Sequence, residues 1–150
     1  RTTPVAPGEC DGVPTPVVNI PKDAPTPDCV RASGCLWCEH HRDVDSQDHV
    51  WALGSLRQLK VVELSKYRPP EGETARHPAQ HAVDRLSEKL RWFKESNALR
   101  CGWVSEALAR VEACWNLLKE HRLDRIRIRI RAEPRPVRSM GVPVFEELSA

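Results

Sequence analysis

Pro78-Ala79-Gln-His81-Ala-Val83-Asp-Arg-Leu86-Ser-Glu-Lys-Leu90-Arg-Trp92-Phe93 is the stretch that decides the fold class. Its apolar residues Ala79, Val83, Leu86, Leu90 and Phe93 are separated by alternating steps of four and three, the signature of one helix face turned to a core. The pattern predicts a helix over 78–95, broken by Ser96-Asn97. Upstream, Asp45 and Ser46 are good N-caps, and Asp48 lies where the first turn of a helix favours negative charge. Val50, Leu53, Leu56 and Leu59 follow at helical spacing, with Trp51 and Val62 on the flank. That helix, about 46–67, is ended near Tyr67 by Pro69-Pro70 and Gly72. Downstream, Val104, Leu108, Val111, Trp115 and Leu118 mark a third, about 103–121. Three apolar stripes of similar length can bury one another, so residues 45–122 read as a small helical bundle and the chain as mainly α.

Beyond the third helix the period changes. Arg125-Ile126-Arg127-Ile128-Arg129-Ile130-Arg131 alternates strictly, which predicts a short β-strand at 123–131 with the arginines on one face and the isoleucines on the other. Residues 121–138 carry seven arginines against Asp124 and Glu133, a local charge of +5 inside a chain whose net charge is only +2. Arg125, Arg127, Arg129 and Arg131 on one face, about 6.6 Å apart, suit a phosphate backbone, because guanidinium pairs bidentately with phosphate. The same arginines also suit a solvated edge that resists edge-to-edge aggregation.

Proline marks the two ends. Seven of the 13 prolines fall within the first 27 residues, so 1–28 reads as an extended arm or linker, and Pro134, Pro136 and Pro143 make a second irregular arm at the C-terminal end of 123–150. The hydrophobic fraction of 40%, the charged fraction of 29% and the mean hydropathy of −0.52 describe a soluble globular chain. There is no membrane-length apolar run and no signal-peptide pattern. The expectation is a cytoplasmic protein without a small-molecule substrate, and Arg1 in first position reads as a fragment of a longer chain.

Six cysteines are present, and Cys29, Cys35 and Cys38 cluster as C-x5-C-x2-C with His40 and His41 directly behind. A C-x2-C turn aims two sulfurs at one centre, and tetrahedral Zn²⁺ takes four sulfur or nitrogen ligands. A short stretch flanked by Pro and Gly buries little apolar surface, and a bound metal would supply its folding energy. The reading is a zinc knuckle at 29–44 with Cys29, Cys35 and Cys38 as ligands. His40, His41 and, by reaching back, Cys10 all remain open as the fourth. Cys101 and Cys114 read as small core residues. The five tryptophans read mostly as core by their spacing, Trp37 packing on the first helix.

Several chemistries are excluded. The first histidine follows the cysteine pair, which fails the zinc-deaminase pattern. There is no H-E-x-x-H, Walker loop, G-x-G-x-x-G or G-x-S-x-G. His40, His41, Asp43, Asp45 and His49 form a cluster that suits either a histidine-metal nuclease or a solvated turn and helix cap.

The run Cys29-Val-Arg-Ala-Ser-Gly-Cys35-Leu-Trp-Cys38-Glu-His-His-Arg42-Asp-Val-Asp-Ser46-Gln-Asp-His-Val-Trp51-Ala-Leu resembles a cysteine-rich region of large integrase-like proteins of bacterial mobile elements, such as the gamma-mobile-trio integrases. Leu99-Arg-Cys-Gly-Trp-Val-Ser-Glu-Ala-Leu-Ala-Arg-Val-Glu112 is similar to the same group, and the two runs together cover about 40 of the 150 residues. The resemblance implies a zinc-carrying, mostly helical C-terminal region that acts on DNA with partner recombinases or integrase subunits. It also favours His40 as the fourth ligand. A tyrosine recombinase needs an H-x-x-R box and a tyrosine nucleophile. Tyr67 is the one tyrosine here, and none of the six histidines has arginine three residues on. The function expected is therefore a non-catalytic zinc-binding module contacting DNA or partner recombinases. The alternatives are a protein–protein module without DNA contact and a small metal-dependent nuclease.

Overall fold

Caps and prolines cut the chain into elements that the periodicity mostly anticipates. The computed structural model describes the backbone of residues 3–132 and the side chains through Arg122. The order is β1 (Glu9–Cys10), α1 (Ala32–Cys35), β2 (His41–Arg42), α2 (Gln47–Lys66), α3 (Pro78–Ser96) and α4 (Ala98–Ala132). The architecture is mainly α. The chain divides into two compact units, Arg1–Glu112 and Ala113–Ala150.

Helix α2 starts at the expected cap: the Ser46 hydroxyl accepts the His49 amide at 3.1 Å, satisfying one of the orphan donors of the first turn. Helix α3 starts with Pro78, whose missing N–H costs nothing there, and the His77 ring nitrogen accepts the Ala79 amide at 3.1 Å. Asn97 alone separates α3 from α4. Its backbone is extended, and its side-chain oxygen accepts the Arg100 amide at 2.8 Å, so one residue closes one helix and caps the next.

The stripe of α3 is wholly buried, with Ala79, Leu86 and Phe93 at 0–1% exposure. It packs against Val50 and Leu53 of α2, Val104 and Ala107 of α4, and Leu36 and Trp37 of the knuckle. The stripe of α2 is buried only in its first two turns, and Leu59 is 63% exposed. The tryptophans divide likewise. Trp37 is core, whereas Trp51 and Trp92 are exposed and lie under the guanidinium groups of Arg110 and Arg100. Each sits one residue away from the buried stripe, about 100° around the helix. Cys114, expected in the core, is exposed, and Cys101 is half-buried.

One expectation about the ends needs correction. The strand expected at 123–131 is helix: α4 continues unbroken to Ala132. No Gly or Pro occurs between Trp103 and Glu133. A helix already nucleated adds one hydrogen bond per residue, arginine is a good helix former, and a strand there would need a partner. Residues two apart lie about 200° apart around a helix, so the four alternating arginines do not share one face. The segment read as an extended arm or linker belongs to the first unit, with Ala6, Cys10 and Pro27 buried. Prolines do keep it from forming long elements, yet it runs back along the knuckle. β1 pairs antiparallel with β2 (Glu9 opposite Arg42, Cys10 opposite His41), and the Val17 and Glu39 amides bond across to Trp37 and Thr15 carbonyls at 2.9 Å. The C-terminal arm, 133–150, lies outside the described residues. No helix of the described residues is long and apolar enough to cross a membrane.

Candidate functional site

The knuckle is built on short-range backbone bonds. Asp28 accepts the amides of Val30 and Arg31 at 2.9 and 2.6 Å, which starts α1. The Cys38 amide then bonds the Cys35 carbonyl at 3.1 Å, and the His41 amide bonds that of Cys38 at 3.2 Å, turning the chain into β2. Arg85 of α3 locks the turn, its guanidinium reaching the Leu36 carbonyl at 3.3 Å and lying 5.2 Å from the Trp37 ring.

Within this frame the expected ligands separate. Cys35, Cys38 and Cys10 are buried, and Cys29 is exposed. The Cys10 and Cys38 thiols lie 3.6 and 3.9 Å from the consecutive carbonyls of Gly12 and Val13. Burial pushes the Cys35 thiol up, against the amides of Ala6 and Val5 that favour its thiolate; the nearby Cys10 and Cys38 push the same way as burial. His40 is 29% exposed and pairs with Asp11 at 3.3 Å. His41 is buried, and its Nε2–H donates to the Pro7 carbonyl at 2.8 Å. Burial, with Lys89 next, holds His41 below the usual imidazole range. Among the described residues no three His, Cys, Asp or Glu side chains are already gathered at metal-binding geometry.

Gly8 is indispensable to this arrangement. Its φ is +136°, and a Cβ there would lie 2.5 Å from the Arg42 carbonyl and 2.8 Å from the His41 Nε2. Only glycine combines that backbone with that approach.

Of the cluster His40, His41, Asp43, Asp45 and His49, only Asp43 and His49 bond each other. His40 faces Asp11 and His41 faces Pro7, while Asp43 accepts from the buried His49 at 3.0 Å and from Lys89 at 2.6 Å. Burial raises the Asp43 carboxyl, but the His49 and Lys89 contacts outweigh it and bring it down to about 2. Asp43 and Lys89 line an open cleft of about 320 Å³ with Asp45, Arg85, Glu88 and Trp92. Its charges are matched internally, Arg85 to Glu88 and Lys89 to Asp43.

Comparison of the chain with protein-family models, curated proteins and solved structures finds no match.

Two basic regions remain. Arg125, Arg127, Arg129 and Arg131 are all in the helical course of α4, their side chains outside the described set. The second region was not legible in the sequence. Arg57 of α2 and Arg91 and Lys94 of α3 line a groove of about 270 Å³ floored by Leu90, Val104 and Leu108, with no carboxylate in its lining. Arg57 is more than 30 positions from Arg91 and Lys94, and only the pairing of α2 with α3 brings it beside them. In the second unit, Trp115, Leu118, Lys119, His121 and Arg122 line a hollow of about 400 Å³.

Proposed function

We propose that this chain is a non-catalytic, zinc-stapled binding module that contacts DNA, working in the cytoplasm with partner recombinases in an integrase system of the mobile-element kind it resembles. The knuckle acts as a structural staple, holding the turn from which α2 departs. The observation that carries the DNA reading is the helical course of the basic segment. Residues 121–132 of α4 carry five arginines against Asp124, and the major groove of duplex DNA admits a helix. The carboxylate-free groove of Arg57, Arg91 and Lys94 supports it as a second site of phosphate contact.

Anisotropy of a labelled duplex, titrated from low to moderate salt, tests this reading. The expected result is binding that weakens as salt rises, with log K falling by about 0.9 per phosphate contact for each decade of salt. Replacing Arg125, Arg127, Arg129 and Arg131 by glutamine flattens that slope. Absence of binding to duplex DNA at low salt overturns it. A protein partner is the second reading, favoured by Leu117 and Leu118 at 63% and 62% exposure on the same helix. Capture of a recombinase subunit without DNA binding selects it.

A further inference from the structure

We propose that Cys10, Cys35, Cys38 and His41 form a closed zinc site, with His41 ligating through Nδ1 and Cys29 taking no part. This rests on the zinc-staple reading and fixes its ligands.

The sequence grouping put Cys29 with the C-x2-C pair because the three are close along the chain. In the fold, Cys29 is exposed just ahead of α1, whereas Cys10, Cys35 and Cys38 are all buried. The Cys10 and Cys38 sulfurs face adjacent carbonyls of a single loop, Gly12 and Val13. Cys10 is also the register partner of His41 across β1 and β2. Residues directly opposite in an antiparallel pair share a face, with Cβ atoms about 4.5–5.5 Å apart. Thiolate and imidazole ligands at about 2.3 and 2.0 Å from zinc span that separation after side-chain rotation.

The independent observation is the histidine. A carbonyl only accepts, so the proton that reaches Pro7 sits on Nε2 and leaves Nδ1 as a lone pair. That Nδ1 is buried without any hydrogen-bond partner, on a residue only 7% exposed. An orphaned buried acceptor is costly. A ligating histidine typically donates its other ring N–H to a carbonyl or carboxylate, as the His41–Pro7 bond does here. Trp37 Nε1 and His81 Nε2 are likewise unpartnered, but an indole N–H is a donor and cannot ligate a metal, and His81 has no cysteine as a register partner as His41 has. On binding, the three thiols lose their protons to solvent as the Zn–S bonds form, and His41 binds as the neutral ring.

The test uses the whole chain, reduced and loaded with one equivalent of Zn²⁺. Cysteine alkylation is mapped residue by residue, before and after a chelator. The expected result is protection of Cys10, Cys35 and Cys38 that the chelator relieves, with Cys29, Cys101 and Cys114 reacting throughout. Cys29→Ser then keeps wild-type zinc affinity within about twofold. Cys10→Ser and His41→Gln weaken it by more than the roughly 10–100-fold that loss of an outer partner costs. Protection of Cys29 in place of Cys10, with zinc still bound, overturns this ligand set and leaves the staple reading standing. No zinc retained by the wild-type chain removes both. Protection relieved by a reductant and not by a chelator identifies a disulfide and also overturns the site. Since the mapping is done on the unmutated chain, a variant that fails to fold does not blunt it.

Discussion

Between Thr3 and Val44, regular structure amounts to two two-residue strands and a four-residue helix, whereas from Gln47 two helices of 20 and 19 residues carry the chain to Ser96. The two regions meet in one apolar cluster, since Leu36 and Trp37 are buried with Leu53, Leu86 and Phe93. Their means of holding together differ. The helices rely on a repeated apolar face, so many residues share the work and each is replaceable in part. The knuckle relies on individual contacts: the Asp28 turn, the β1–β2 register, the Arg85 clamp and the close approach at Gly8. Redundancy in one region and its absence in the other is the lesson, and it sets what each substitution should do.

Phe93→Ala should have the largest effect. Phe93 is 1% exposed and touches both Trp92 and His49, and truncating a buried phenylalanine costs about 3–5 kcal/mol. Denaturant unfolding followed by far-UV circular dichroism should show that loss across the first unit. A drop below about 1 kcal/mol would mean that the helical core is much less shared than described.

Gly8→Ala should come next, at about 1–3 kcal/mol for a strained positive φ. It sharpens the comparison, because the damage should stay in the knuckle. Limited proteolysis should cut residues 3–44 while the helical signal at α2 and α3 persists. Simultaneous loss of the helical signal would show that the two regions unfold as one.

Asp45→Asn should be the smallest. Hydrogen bonds from the Arg100 guanidinium, at 2.8 and 2.6 Å, hold the Asp45 carboxyl below its ordinary value of 3.8. A depressed carboxyl contributes stability above its unfolded value and loses it as pH falls through the folded one. The variant and wild type should therefore differ slightly at neutral pH and converge in acid below 3.8. The pair is solvent-exposed and screened. A gap that widens in acid would contradict the sign.

What could be read beforehand follows the same division. Helix starts at Ser46 and Pro78 and the break at Asn97 were legible because caps and prolines act within a few residues. The buried face of α3 was legible because its period is regular. The burial of Cys10 opposite His41 was not, since nothing local ties residues that far apart. The arginine alternation misled for another reason: period two is a strand signal only where a partner strand exists, and a helix without breakers runs through it.

The long reach of the knuckle contacts has a kinetic side. His41 meets Pro7 across 34 residues, and Arg85 meets Leu36 across 49. Contacts so distant require a large loop to close before they return any stability. A chain leaving the ribosome therefore exposes its prolines and first cysteines well before α3 exists to bury Leu36 and Trp37. The knuckle segment is made before the helix that completes its burial, and its thiols stay open to solvent for that interval.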